Sequence, residues 1–258
     1  MALKSFLDGK IFAEVNITNQ HIGYPLIIFL HGWGRSKADF SKFISDYNCV
    51  AFDLPGFGSS QDLEKVYDAH VYAEDISNAI NELPSDSIRN GIVIVGHSLG
   101  GRVAACLGIL RVDIVKGIIF IGAPLIRYTS KTKSPLLFRV AKILNRIGVI
   151  SERKMEENKK KYGSADYRKA SGLLRESLVK IINESYQDEL KQFKFPVSFL
   201  WGINDTAAPF ITAYDSEELV SNSLGVQLVD DSSHDVHLEN PQSLIDQIDL
   251  MMKALVDD

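Results

Sequence analysis

The 258-residue sequence is sparing with the residues that mark specialised architectures: two cysteines, two tryptophans, four methionines and eight prolines are scattered through it. Cys49, in YNCVAF, and Cys106, in VAACLGIL, lie inside apolar stretches, with no Cys-x-x-Cys pair and no His/Cys spacing of a metal site. That excludes a disulfide scaffold and leaves two buried free thiols as the expectation. No apolar run approaches the roughly 20 residues needed to cross a bilayer. The opening MALKSFLDGK has no apolar stretch followed by a small-residue cleavage site, so the expected location is the cytoplasm, with no transmembrane segment.

A strong excess of one charge is also missing. Lys and Arg number 28 against 33 Asp and Glu, a net charge of −5. The balance is uneven: residues 127–191 carry 16 basic and 8 acidic side chains, leaving 12 and 25 for the rest. A basic segment on an acidic body, without a nucleic-acid motif, argues against a nucleic-acid partner. With no phosphate loop, dinucleotide fingerprint or metal-ligand spacing, no cofactor and no metal are expected.

What is present is an alternation of strand and helix patterns. Nearly unbroken apolar runs occur at PLIIFL (25–30), NCVAFDL (48–54), GIVIVG (91–96), VKGIIFIG (115–122), PVSFLWG (196–202) and GVQLVDD (225–231). Runs of this length suit parallel strands covered on both faces. Helical patterns at 37–46, 69–83, 100–110, 210–221 and 241–255 fall between or after them, which predicts an α/β fold with a mostly parallel sheet and helices on both faces. SFLDGKIFAEVNI reads as a hairpin turning at Asp8-Gly9.

From about 125 to 192 the rhythm gives way to a helical insertion. SPLLFRVAKILNRIGVI is amphipathic and cationic, and a second helix is expected through SGLLRESLVKIINESY. The first could lie on an acidic membrane surface, but a helix capping a pocket also needs one apolar face, and the cap is preferred.

GHSLGG at 96–101 places a serine between glycines where a strand run meets a helix pattern. Without Cβ atoms at 96 and 100 the chain can turn sharply and present the Ser98 hydroxyl on an elbow. A serine nucleophile needs a histidine base, and the imidazole needs a carboxylate to hold its tautomer. LWGINDTAAP supplies Asp205 and DDSSHDVHLENP supplies His234, each just past a predicted strand end and in the order serine, acid, histidine. The developing oxyanion needs two backbone N–H groups: Leu99, first in the helix, and Trp33, in the turn after IIFLHGWG. His237 competes with His234 for the base, with His234 preferred. His31 and His97 are expected to brace the neighbouring loops, and Asp53 to form a turn; His21 and His70 receive no role.

HGWG (31–34), DLPGFGSS (53–60), GHSLGG (96–101), WGINDTAAP (201–209) and HDVHLENP (234–241) together resemble the α/β-hydrolase superfamily, in particular its cap-bearing small bacterial carboxylesterases. The resemblance implies an eight-stranded sheet, a core of residues 1–124 and 193–258, a helical cap over 125–192, and hydrolysis through a serine-bound acyl intermediate. One position departs: Ser233 precedes His234 where this group carries glycine. The expected partner is a small ester-like molecule, whether ester, lactone or thioester, lined by Trp33, His97, Tyr128, Leu136, Leu137 and Phe138. Three alternatives stay open. Carbon–carbon bond hydrolysis fits less well, because relatives of that kind carry Asn where His97 stands and Trp where Asp235 stands. Perhydrolysis would use the same triad, and a ligand-binding or sensor module could retain it.

Overall fold

A computed structural model describes residues 1–18, 23–127 and 165–256. Eight strands form one sheet: β1 (Ala2–Phe6), β2 (Ile11–Asn16), β3 (Leu26–Leu30), β4 (Cys49–Asp53), β5 (Ile92–His97), β6 (Val115–Ile121), β7 (Val197–Gly202) and β8 (Ser223–Val229). Their spatial order is β1-β2-β4-β3-β5-β6-β7-β8. β2 pairs antiparallel with both β1 and β4, and every other pairing is parallel. The expected N-terminal hairpin is present. Asp8 and Gly9 take φ of 55° and 87° at its turn, and the Lys10 amide donates to the Leu7 carbonyl at 3.1 Å.

The central strands read as unbroken apolar runs because the sheet is covered on both sides. Leu26, Ile28, Leu30, Ile92, Ile94, Ile118 and Phe120 join one core, while Ile27, Phe29, Val93, Val95, Ile119 and Ile121 join the other. Alternate side chains of one strand thus serve opposite layers. The first core is packed by α2 (Ala69–Asn81) and α3 (Leu99–Leu110); the second by α1 (Ser41–Ile44) and the C-terminal helix Pro241–Val256. Asp68 starts α2 by accepting from the Val71 amide at 2.9 Å.

The helix expected over 37–46 is instead one turn of 3-10 helix, Lys37–Phe40, followed by the single α-turn of α1. Its entry is tied by side chains: Asp53 accepts from the Lys37 amide at 2.7 Å and from Lys37 Nζ at 2.5 Å. Residues Gly172–Ile181 form the second helix expected in the insertion, with short helices Ala165–Lys169 and Gln187–Gln192 on either side. Ile181, Tyr186 and Leu190 enter the first core, and Arg102 of α3 donates to the Ile181 carbonyl at 2.7 Å. The amphipathic stretch expected over 135–150 lies outside the described residues. Among those described, no helix is long and apolar enough to cross a membrane.

Candidate active site

The elbow forms where β5 meets α3. Ser98 has φ 50° and ψ −105°, a left-handed backbone unusual for any residue but glycine. Its amide donates to the Ile121 carbonyl at 2.9 Å, and the Gly100 amide donates to the His31 carbonyl at 3.1 Å, so both neighbouring parallel strands hold the turn. A Cβ at position 100 would overlap the Leu30 carbonyl, and one at position 96 would meet the Gly100 carbonyl oxygen at 2.5 Å. The glycines allow α3 to approach the sheet closely, as their spacing suggested.

Asp205 and His234 stand on the loops after β7 and β8. His234 Nδ1 lies 2.7 Å from Asp205 Oδ2, and the Asp205 side chain is fully buried. The other carboxylate oxygen, Oδ1, accepts from the Ala207 and Ala208 amides, each at 2.8 Å. Since a carboxylate oxygen accepts, the proton of a neutral His234 resides on Nδ1, leaving the Nε2 lone pair free to act as a base. Ser98 and His234 line one cavity of about 310 Å³, with Trp33, Gly34, Arg35, His97, Asp166, Lys169 and Asp235. No hydrogen bond joins the Ser98 hydroxyl to His234 among the described residues; such bonds often tighten only when substrate is bound.

Ser233, the departure noted in the sequence, does not take a left-handed backbone; in this loop positive φ falls at Asp231. Its amide and hydroxyl both donate to Glu239, each at 2.5 Å, which ties the His234 loop to the short helix Val236–Glu239.

The amides of Trp33 and Leu99 donate to no protein acceptor among the described residues. Leu99 opens α3, where the exposed amides and the helix dipole favour negative charge. The Trp33 indole packs edge-on against Phe57, with ring centroids 5.0 Å apart. Of the expected lining residues, Trp33 and His97 border the cavity; Tyr128, Leu136, Leu137 and Phe138 lie outside the described residues. A larger hollow of about 460 Å³ near Ile27, Tyr47 and Asn48 lies by the N-terminal ends of β3 and β4. Ligands of open parallel sheets bind at the opposite, carboxyl ends, where Ser98 stands.

The other histidines brace the site. His31 Nε2 accepts from the Leu54 amide at 2.9 Å, so Nδ1 carries the proton and donates to the Gly32 carbonyl at 2.7 Å. Burial lowers the His31 pKa from its ordinary 6.5. His97 Nε2 lies 3.0 Å from the His234 carbonyl. Asp53 does more than shape a turn: its buried carboxylate accepts from the Ser59 amide at 2.8 Å as well as from Lys37, joining the loops after β3 and β4.

His237, expected as a packing or pocket residue if it is not the base, is packed into the interior. The ring is fully buried, 4.5 Å between centroids from His97 and 5.3 Å from Phe40. Among the described residues, two groups of side chains could hold a metal ion: Asp39, His97 and His237, and separately His70, Cys106 and Glu189. Their members are too far apart in the chain for any spacing motif to reveal them.

Residues 27–247 match the alpha/beta hydrolase family. A provisionally named 2-succinyl-6-hydroxy-2,4-cyclohexadiene-1-carboxylate synthase of Haemophilus influenzae is 30% identical over 168 residues, 62% of this chain and 56% of that protein. A pimeloyl-[acyl-carrier protein] methyl ester esterase of Shewanella woodyi is 33% identical over 100 residues, 38% of this chain and 35% of that protein. The chain therefore spans about half, or less, of the length of these curated relatives. An esterase from Exiguobacterium antarcticum shares the fold, with a TM-score of 0.70 and 18% identity over 97% of this chain and 98% of the other. With the family match covering most of its length and all eight strands in one mostly parallel sheet, the chain belongs to the alpha/beta hydrolase family.

Proposed function

We propose that the protein is a serine hydrolase cleaving small to medium carboxylic esters, lactones or thioesters through an acyl-enzyme intermediate. The observation that carries this reading is the 2.7 Å contact between His234 Nδ1 and Asp205 Oδ2, made by a histidine that shares its cavity with Ser98. Asp205 orients the imidazole, and His234 Nε2 takes the Ser98 proton as Oγ attacks the acyl carbon. The Leu99 and Trp33 amides receive the oxyanion. As the tetrahedral intermediate collapses, His234 returns the proton to the departing alkoxide. Water then attacks the acyl-serine by the same route, releasing the acid and restoring Ser98.

The name of the Shewanella relative specifies an ester substrate, which supports the ester over the other bonds this triad can cleave. Trp33 and His97 form part of the substrate wall in this proposal. Residues 125–192 serve as the cap, through which Tyr128, Leu136, Leu137 and Phe138 contribute to acyl selection. The test is hydrolysis of aryl esters graded in acyl length, beside mass spectrometry after treatment with a serine-directed phosphonate. Turnover with a chain-length optimum and a single adduct on Ser98 is expected; turnover without modification of Ser98 would overturn the proposal.

A further inference from the structure

Next to the His234 loop lies a cluster in which the hydrolytic chemistry gives Asp39 and His237 no part. One ligand atom each from Asp39, His97 and His237 lie within 4.8 Å of one another. They come from three elements: the 3-10 turn Lys37–Phe40, the end of β5 and the short helix Val236–Glu239. His97 and His237 are 1% and 0% exposed. Yet His97 Nδ1 and both ring nitrogens of His237 have no hydrogen-bond partner among the described residues. Buried polar atoms of this kind are costly unless something satisfies them.

The chemistry of the cluster suits a cation. Two imidazoles and a carboxylate are a familiar donor set for a tetrahedral ion with one open position. Ligand bonds of about 2.0–2.2 Å would bring the donor atoms to within about 3.5 Å of one another, a contraction that small side-chain movements can supply. Each ring is buried and keeps at least one nitrogen without a hydrogen-bond partner among the described residues, so each has a donor atom to offer an ion.

Among the described residues, the titratable groups facing the cluster include Asp39, Asp235, Arg35 and His234. Arg35 pairs with Asp39 and reaches Asp235 at 3.1 Å, while Asp235 lies 3.8 Å from His97 Nε2. An arriving ion can take the Asp39 carboxylate while Arg35 keeps Asp235.

We propose that Asp39, His97 and His237 form a binding site for a divalent transition-metal ion of the zinc class, adjoining the His97 contact with the His234 carbonyl. The site does not depend on the hydrolytic assignment, since it is defined by binding alone.

The test is titration of the chelator-treated full chain with Zn²⁺ against a chromophoric competitor, and with Co²⁺ followed by visible absorption. Wild type, Asp39→Asn and His237→Phe are compared. The wild type should take up one equivalent, with a Co²⁺ spectrum lacking thiolate charge transfer. Asp39→Asn should weaken binding at least about tenfold and His237→Phe should abolish it. Should His237→Phe fail to fold, Asp39→Asn decides. The proposal is overturned by no uptake in the wild type, by equal affinity in Asp39→Asn, or by a thiolate band that moves the ion to Cys106 with His70 and Glu189.

Discussion

His97 Nε2 lies 3.0 Å from the backbone carbonyl of His234, so the histidine beside Ser98 holds the loop that carries His234. A carbonyl can only accept, so His97 is the donor. Replacing His97 with Phe removes that donor while keeping an aromatic ring in the space. For a group that orients His234 without touching the acyl carbon, kcat should fall by about 10- to 100-fold, a larger effect than any change in KM from its place in the cavity wall. Steady-state kinetics on an aryl ester in chelator-treated buffer measures both; an unchanged kcat would remove the positioning role.

The close approach of α3 to β3 makes Gly100 intolerant of a side chain. Alanine there would drive its Cβ into the Leu30 carbonyl, a backbone atom that cannot swing away. Gly100→Ala should destabilise the fold by about 1–3 kcal/mol, the usual cost of overpacking. Urea unfolding provides the comparison, and an unchanged midpoint would show that the helix can retreat from the sheet at no cost.

His31 supplies a pH dependence whose sign follows from its hydrogen bonds. Burial lowers its folded-state pKa below the ordinary 6.5, and protonating Nε2 would break the bond from the Leu54 amide. Above pH 6.5 the ring is neutral whether the chain is folded or unfolded. As pH falls below 6.5, the unfolded chain binds the proton first, so the stability associated with neutral His31 is lost progressively down to the lowered folded-state pKa. Denaturant midpoints across that range should decline less steeply in His31→Gln than in the wild type. Parallel declines would assign the acid sensitivity to other groups.

Both thiols should be inert while the protein is folded. Burial, with a contribution from Glu14, pushes the Cys49 thiol up to about 12, and burial pushes the Cys106 thiol up as well. Because the thiolate is the reactive species, iodoacetamide at about pH 8 should label neither residue in the native state and both after denaturation. Rapid native labelling of either would contradict this.

The sheet was legible in the sequence for a physical reason. Strands buried on both faces require unbroken apolar runs, and those runs in β3 to β7 stand out between polar loops. The elbow was legible because Gly96 and Gly100 answer a local steric demand. Asp205 and His234 were found from their order and their positions after strand ends, and the structure brings these two side chains into contact. Other features depend on packing between distant segments. The Asp39, His97 and His237 cluster exists only once a 3-10 turn, a strand end and a short helix converge. The capture of Ser233 by Glu239, which lets serine occupy a position expected to hold glycine, likewise needs the short helix Val236–Glu239 to fold back. The entry of Tyr186 and Leu190 into the main core was masked by a segment whose composition reads as a surface insertion.

The most direct test of the central assignment is the rate of aryl-ester hydrolysis by Ser98→Ala, measured beside wild-type protein purified in the same way. The substitution removes one hydroxyl from a half-buried position, so the fold should survive. Loss of turnover by about 10⁴-fold or more, with thermal unfolding essentially unchanged, is the predicted result for a nucleophile. Turnover close to wild type in a folded, uncontaminated sample would contradict it and would remove Ser98 from the chemistry.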